Sequence, residues 1–120
     1  MVRVHLAVSD MKTSIDFYTT ELGFYYDHGI RQMAWLTRGN LLLTLSPDQP
    51  DLPFSSYFGF NLSSAGELEK LYVLLHQRHL RMSGPPDPAS GRVWFYLYDP
   101  DGYPISFSCH RLEMQQGAPG

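Results

Sequence analysis

The sequence predicts an α+β fold of two tandem βαβββ modules, which form a cupped, mostly antiparallel sheet with the helices on its outer face. The first observation is that segments of alternating apolar and polar residues, typical of half-buried strands, recur along the chain. The second is that two capped stretches carry apolar residues at helical spacing. The third is that this order of elements occurs twice, so that the chain contains an internal repeat.

The first module is predicted over residues 1–46. Residues 2–8 alternate apolar and polar side chains, as in a strand with one buried face. Asp10 can cap a helix that begins at Met11, and Gly23 is a natural end for that helix. Three further strands are expected, at Phe24 to His28, Gln32 to Thr37 and Leu41 to Ser46.

The second module is predicted over residues 57–110, after a linker at 47–56 that holds prolines and aspartates. It begins with a strand from Tyr57 to Leu62, and Ser64 with Glu67 forms a capping box for the second helix. The strands expected after this helix are a short segment from Leu80 to Ser83, then Arg92 to Tyr98 and Pro104 to Cys109, the last two joined by the turn Asp99-Pro100-Asp101-Gly102. Residues 1–114 are predicted to form one domain and residues 115–120 a flexible tail.

Composition excludes several classes of function. Hydrophobic residues make up 43% of the 120 residues, which is enough for a buried core. The net charge of -3 offers no basic excess for nucleic acid, and no apolar run is long enough for a membrane helix. A single cysteine, Cys109, excludes an intrachain disulfide. With no apparent signal peptide, the expected location is the cytoplasm.

Two motifs carry a resemblance to a known family. The first runs from Val8-Ser9-Asp10-Met11 through Ser14-Ile15-Asp16-Phe17-Tyr18 to Glu21-Leu22-Gly23-Phe24. The second is Phe95-Tyr96-Leu97-Tyr98-Asp99-Pro100-Asp101-Gly102, followed by Pro104-Ile105-Ser106-Phe107. Over residues 2–110 the chain resembles the vicinal oxygen chelate superfamily, which includes glyoxalase I, fosfomycin and bleomycin resistance proteins, and extradiol dioxygenases.

The resemblance implies a divalent metal in the cup, held by a His on the first strand and a Glu on the last strand of the modules. The positions that correspond to these ligands are occupied here by Arg3, Tyr57, Ser106 and Leu43. These side chains do not make a usual transition-metal site, so we expect no metal cofactor. The alternative is one divalent ion, such as Zn, Ni, Mn or Fe, in a rearranged site that uses His5 and His110.

The same positions favour a polar or anionic ligand group. A guanidinium suits a carboxylate or phosphate, so Arg3 is the candidate anchor, with His5 as a secondary hydrogen-bonding group. Aromatic and apolar side chains on predicted strands are candidates for the walls of the cup. The predicted ligand-binding residues are Arg3, His5, Met33, Trp35, Leu43, Tyr57, Trp94, Tyr96, Tyr98 and Ser106. Alternatively, the aromatic rings pack in a dimer interface.

Three functions are compatible with this sequence. The first is a metal-free protein that binds a small molecule and so sequesters an aromatic or anionic drug or metabolite. The second is a metal-dependent lyase, isomerase or dioxygenase with a rearranged site, and no catalytic residue is assigned for it. The third is a non-catalytic structural or regulatory module. A homodimer is expected, because open sheets of this type usually need a partner.

Overall fold

The computed structural model describes residues 1–49 and 58–109, which divide into two compact units. The first unit comprises the described residues up to position 49 together with Asp99–Tyr103. The second comprises Phe58–Tyr98 and the described residues from Pro104 onward. Each unit has its own sheet, and the predicted α+β class is confirmed.

The first unit contains a four-stranded sheet and one helical segment. Its strands have the spatial order β1-β4-β3-β2, with β1 parallel to β4 and the other pairs antiparallel. The four strands are β1 (Val2–Val8), β2 (Tyr25–Ile30), β3 (Met33–Arg38) and β4 (Leu41–Pro47). The core lies on one face of this sheet, where alternate residues such as Leu6, Leu36 and Leu43 are fully buried.

The helical segment begins where the sequence predicts. Asp10 is the N-cap of α1 (Met11–Asp16), and its carboxylate accepts a hydrogen bond of 3.1 Å from the Thr13 backbone N–H. The segment continues as a π-helical turn over Phe17–Glu21, which is a departure from the regular helix that the apolar spacing predicts. The Thr19 hydroxyl donates to the Ile15 carbonyl at 2.7 Å within this stretch.

The second unit repeats this arrangement with a smaller sheet. Its three strands have the order β5-β7-β6, with β5 parallel to β7 and β6 antiparallel to β7. The elements are β5 (Phe58–Leu62), α2 (Ala65–Gln77), a 3-10 turn (Pro88–Ser90), β6 (Trp94–Tyr98) and β7 (Pro104–Cys109). Ser64 caps α2 as predicted, because its hydroxyl accepts from the Glu67 backbone N–H at 3.2 Å.

The fourth strand expected in this unit is reduced to a bridge. Between Leu80 and Ser83 only Met82 forms a β-bridge, with Leu97 of β6. Gly84, Pro85 and Pro86 follow at once, and proline has no backbone N–H for a strand ladder. The short strand predicted from Leu80 to Ser83 is therefore wrong, and β6 begins at Trp94 and not at Arg92.

The turn between β6 and β7 belongs to the first unit. The Ser9 hydroxyl donates to the Asp101 carboxylate at 2.5 Å, and the Tyr103 hydroxyl donates to the Ala7 carbonyl at 2.8 Å. The Tyr18 hydroxyl donates to the buried Asp99 carboxylate at 2.7 Å. The two sequence motifs of the resemblance therefore contact each other directly.

No helix in the described part of the chain is long and apolar enough to cross a membrane.

Candidate functional site

The first sheet leaves one face uncovered by its helix. Register places Arg3 beside Leu42, His5 beside Thr44, and Trp35 beside the same Thr44. All of these side chains are half-buried or exposed, whereas residues that alternate with them, such as Leu6, Leu36 and Leu43, are buried. We call this surface the first open face, and it consists of Arg3, His5, Ala7, Met33, Trp35, Thr37, Leu42, Thr44 and Ser46. It brings together four predicted ligand-binding residues: Arg3, His5, Met33 and Trp35.

The polar groups of the first open face are partly paired. His5 Nε2 lies 2.7 Å from Ser46 Oγ, a hydrogen bond whose donor depends on the imidazole tautomer. At the β2 edge, the His28 ring stacks on Trp35 with centroids 4.7 Å apart and planes inclined by 5°. His28 Nδ1 also lies 2.5 Å from the Asp27 carboxylate. His28 is the last residue of the strand predicted from Phe24 to His28, and its pairing with Trp35 across the strands identifies it as part of this surface.

Leu43 does not lie on this face. It pairs with Val4 and Leu36 on the opposite side of the sheet, where it has 0% exposure. The prediction that Leu43 lines the ligand site is therefore wrong. Its neighbours Leu42 and Thr44 lie on the first open face, and adjacent residues in a strand point to opposite faces.

The error comes from matching the glycines of the two turns. Placing Gly102 over Gly39 puts Ser106 over Leu43, because each lies four residues beyond its glycine. Three residues separate the paired ends Asp99 and Tyr103, whereas two separate Arg38 and Leu41, so the two glycines are not at equivalent positions. In the structure Ser106 pairs with β5 at Gly59, and the equivalent residue of β4, which pairs with His5, is Thr44.

The second sheet also has one uncovered face, which is rich in aromatic rings. Ser106 pairs with Tyr96 and Gly59, and Ser108 pairs with Trp94 and Asn61. We call this surface the second open face, and it consists of Gly59, Asn61, Trp94, Tyr96, Tyr98, Ser106 and Ser108. It brings together four predicted residues, Trp94, Tyr96, Tyr98 and Ser106, while Phe95 and Leu97 are fully buried on the other side.

The rings of the second open face form a row along β6. Trp94 and Tyr96 have centroids 5.2 Å apart and planes inclined by 50°. Trp94 is 44% exposed, so its indole is accessible to a ligand. The polar end of this face is ordered by a 2.9 Å hydrogen bond from the Ser108 hydroxyl to Asn61 Oδ1.

A glycine allows β5 to pass close to Ser106. A Cβ atom at Gly59 would overlap the Ser106 hydroxyl and lie 2.6 Å from the Ser106 carbonyl oxygen. The Ser106 side chain thus occupies the space above Gly59, and this fixes where its hydroxyl lies on the second open face.

Two arginines that the sequence analysis did not select flank this row of rings. The Arg81 guanidinium carbon is 5.1 Å from the centroid of Tyr98, and that of Arg92 is 6.0 Å from the centroid of Trp94. Arg81 reaches the row through its pairing with Tyr98, a residue distant in sequence, which strand alternation does not reveal. Arg92 lies two positions before Trp94, and alternation in the predicted strand from Arg92 to Tyr98 places it on the same face.

Two predicted residues, Tyr57 and His110, lie outside the described residues. Cys109 is buried with 3% exposure, as its position in the strand alternation predicts.

The described residues do not fit the metal site that the resemblance implies. Of the four corresponding positions, those described carry the guanidinium of Arg3, the hydroxyl of Ser106 and the buried Leu43. Neither a guanidinium nor an alkyl group ligates a divalent cation, and Thr44, the structural counterpart of Ser106, adds only a second hydroxyl. Over residues 1–49 and 58–109 there is no group of three or more His, Cys, Asp or Glu side chains that could hold a metal.

Comparison with known proteins gives a family and a fold. Residues 1–107 match the family model of the Glyoxalase/Bleomycin resistance protein/Dioxygenase superfamily. No curated protein matches the chain. A glyoxalase/bleomycin resistance protein/dioxygenase from Nocardioides is similar in structure, with a TM-score of 0.76, 22% identity, and coverage of 99% of this chain and 86% of that chain.

Two solved structures with named activities are similar as well. The genomically encoded fosfomycin resistance protein of Listeria monocytogenes has a TM-score of 0.75 and 15% identity, and the alignment covers 94% of each chain. The lactoylglutathione lyase of Agrobacterium tumefaciens has a TM-score of 0.73 and 16% identity, with coverage of 93% of this chain and 94% of that chain. At these identities the likeness shows a common fold, and it does not show a common activity.

Proposed function

The chain belongs to the Glyoxalase/Bleomycin resistance protein/Dioxygenase superfamily, and from this premise we propose that it is a metal-free small-molecule-binding protein. Its ligand is a drug or metabolite that carries an aromatic ring or an anionic group, and binding itself sequesters the molecule. The observation that carries this proposal is the chemistry of the two open faces, where aromatic rings and hydrogen-bonding side chains stand in place of metal ligands.

The first open face supports the recognition of a polar group. Arg3 supplies a permanent positive charge and up to five N–H donors. His5 lies two residues beyond Arg3 on the same side of β1 and forms a hydrogen-bonded pair with Ser46 of β4. Trp35 adds an aromatic surface next to them. A carboxylate or phosphate placed against Arg3 would form charge-assisted hydrogen bonds, which are stronger than neutral ones.

Metal content is the first measurement. Untagged protein, purified without chelator and dialysed, is analysed for Zn, Ni, Mn and Fe, and we expect well below one ion per chain. About one ion per chain would contradict the proposal and favour the rearranged metal enzyme; His5→Ala would then be expected to lose the ion. Among the residues described, that alternative depends on His5, whose imidazole already pairs with Ser46.

Ligand binding is tested separately by thermal shift against a library of aromatic, anionic and neutral metabolites and antibiotics. A compound that binds the folded state raises the unfolding temperature, by an amount that grows with its concentration over Kd. Arg3→Gln is expected to reduce the shift for anionic compounds, with Arg31→Gln, at an exposed turn, as the matched control. Absence of any stabilising compound would contradict the binding function and favour a structural or regulatory module.

We also propose that the protein is a homodimer. All six residues of β2 are exposed, and this strand is the edge of the first sheet. Tyr25, Tyr26 and Ile30 are 76%, 52% and 56% exposed, which is unusual for large side chains in a folded strand. Light scattering on wild type and on Tyr26→Glu tests this: the variant is expected to be a monomer, and a monomeric wild type would contradict the proposal.

A further inference from the structure

Arg81 is held beside the ring of Tyr98 by backbone pairing. The Tyr98 backbone N–H donates to the Arg81 carbonyl at 2.9 Å, and the Ser83 N–H donates to the Tyr96 carbonyl at 2.9 Å. The Ser83 hydroxyl in turn accepts from the Tyr96 N–H at 2.9 Å. This short paired segment therefore holds Arg81 next to the end of β6, and its guanidinium carbon lies 5.1 Å from the Tyr98 centroid.

Arg92 is held at the other end of the same strand. Its backbone exchanges two hydrogen bonds with Asp87, each of 2.9 Å, and its Nη1 donates to the Pro85 carbonyl at 3.3 Å. Its guanidinium carbon lies 6.0 Å from the Trp94 centroid. The two cations thus stand at opposite ends of the ring row Trp94-Tyr96-Tyr98, which spans about 13 Å at the usual rise of a strand.

The positive charge of these arginines is not neutralised by the residues described. Neither guanidinium forms an ion pair there, and Asp87, joined to Arg92 through the backbone, is not within ion-pair distance of it. The second open face contributes no carboxylate of its own, since its polar members are Asn61, Ser106, Ser108 and the two tyrosines. An anion placed here gains attraction from both ends and meets no like charge from this face.

We propose that the second open face binds a planar aromatic anion, with Arg81 and Arg92 as the residues that select its charge. This rests on the proposed small-molecule-binding function and adds the class of ligand. The rings of Trp94 and Tyr96 stack on the flat part of the ligand, and an arginine at either end of the row pairs with its carboxylate. A fused two-ring carboxylate matches this pattern of a flat apolar surface next to a cation.

The test uses 2-naphthoate as the probe, with 2-naphthamide as the uncharged analogue and decahydro-2-naphthoate as the non-aromatic one. The chain has two tryptophans, so its indole N–H groups give two signals in a 1H–15N NMR spectrum, which Trp35→Phe assigns. We expect 2-naphthoate to shift the Trp94 signal saturably. Both analogues are expected to bind at least about tenfold more weakly.

Three charge-removing variants complete the design. At least one of Arg81→Gln and Arg92→Gln, the variant that removes the paired cation, is expected to weaken 2-naphthoate binding about three- to tenfold, with little effect on 2-naphthamide. Lys70→Gln is the matched control, because it removes one exposed positive charge from α2 of the same unit, and it should leave the affinity unchanged. The spectrum of each variant also reports whether it is folded.

The outcomes separate this proposal from the function on which it rests. Equal affinity for 2-naphthoate and 2-naphthamide, a shift of the Trp35 signal alone, or unchanged affinity in both arginine variants would overturn it. No response to 2-naphthoate, together with stabilising compounds in the thermal-shift library, would overturn it while the binding function stands. If no compound of any class binds, both proposals are wrong.

Discussion

The Tyr18 hydroxyl donates a 2.7 Å hydrogen bond to the Asp99 carboxylate, across 81 positions of sequence. Tyr18 is fully buried and Asp99 is 4% exposed. The other carboxylate oxygen of Asp99 accepts from the backbone N–H groups of Asp101 and Tyr103, each at 2.9 Å. One buried carboxylate therefore holds the turn between β6 and β7 and fastens it to the helical segment of the first unit.

Removal of the phenol hydroxyl should destabilise the protein. Tyr18→Phe leaves the buried Asp99 carboxylate with only its backbone donors, and a lost hydrogen bond to a charged group costs about 1.5–3 kcal/mol. Urea unfolding measures the free energy of unfolding of wild type and variant. Tyr72→Phe, at a half-buried tyrosine of α2 whose hydroxyl forms no hydrogen bond with the described residues, is the control and should change it by less than about 0.5 kcal/mol. Equal effects of the two variants would contradict this account.

The same pair predicts a loss of stability in alkali. Burial and the nearby Asp99 carboxylate raise the pKa of the Tyr18 phenol well above its ordinary value of 10.0. The folded state therefore keeps a proton that the unfolded state releases above pH 10.0, so the free energy of unfolding falls as pH rises beyond that value, by at most about 1.4 kcal/mol per pH unit.

This pH dependence is checked by urea unfolding at a series of pH values from neutral to strongly alkaline. The decline should be shallower in Tyr18→Phe, which has no phenol to ionise at that position. The remaining seven of the eight tyrosines are common to both proteins and cancel in the comparison. Parallel curves for wild type and Tyr18→Phe would show that Tyr18 does not cause the decline.

Gly59 is expected to tolerate no side chain. Gly59→Ala would place its Cβ 2.6 Å from the Ser106 carbonyl oxygen, a backbone atom of the paired strand. The strands must then separate, at a cost of about 1–3 kcal/mol, as for other overpacked positions.

A second glycine gives the matched control. Gly66 lies in α2, and a Cβ there would be 3.8 Å from the Ser64 hydroxyl, an ordinary contact. Gly66→Ala should stabilise the protein by roughly 0.5–1 kcal/mol, because alanine is the better helix former. Thermal unfolding of the two variants should thus shift in opposite directions, and a shift in the same direction would contradict the close approach at Gly59.

The N-cap of α1 predicts a smaller effect. Asp10→Ala removes the carboxylate that accepts from Thr13 N–H and should reduce the free energy of unfolding by about 1 kcal/mol. Asp10→Asn keeps an acceptor oxygen and should restore most of that stability. If asparagine is as damaging as alanine, the negative charge and not the hydrogen bond is responsible.

Local patterns predicted most of the fold. Strand and helix periodicity and capping signals depend on neighbouring residues alone. They predict the alternation in β1, the caps Asp10 and Ser64, and the buried positions Phe95 and Leu97. The short fourth strand of the second unit was overestimated, because the prolines that end it act through a missing donor and not through hydropathy.

The candidate site was less accessible to such reasoning. Matching Gly102 with Gly39 places Ser106 over Leu43, whereas strand pairing makes Thr44 its counterpart, and a shift of one position exchanges the two faces of a strand. Arg81 reaches the aromatic row only through its pairing with Tyr98 of β6, which depends on the assembled sheet. Arg92 was within reach of the sequence, since it lies two positions before Trp94 in the predicted strand.

The placement of Asp99–Tyr103 in the first unit also bears on how the chain folds during synthesis. Its bonds to Ala7, Ser9 and Tyr18 span 96, 92 and 81 positions. The amino-terminal unit therefore cannot complete its core until residues 99–103 have left the ribosome, although its own four strands are synthesised in the first 47 positions. Contacts between residues so far apart in sequence slow folding, so a nascent chain that lacks this turn should remain exposed to proteases until residues 99–103 have emerged.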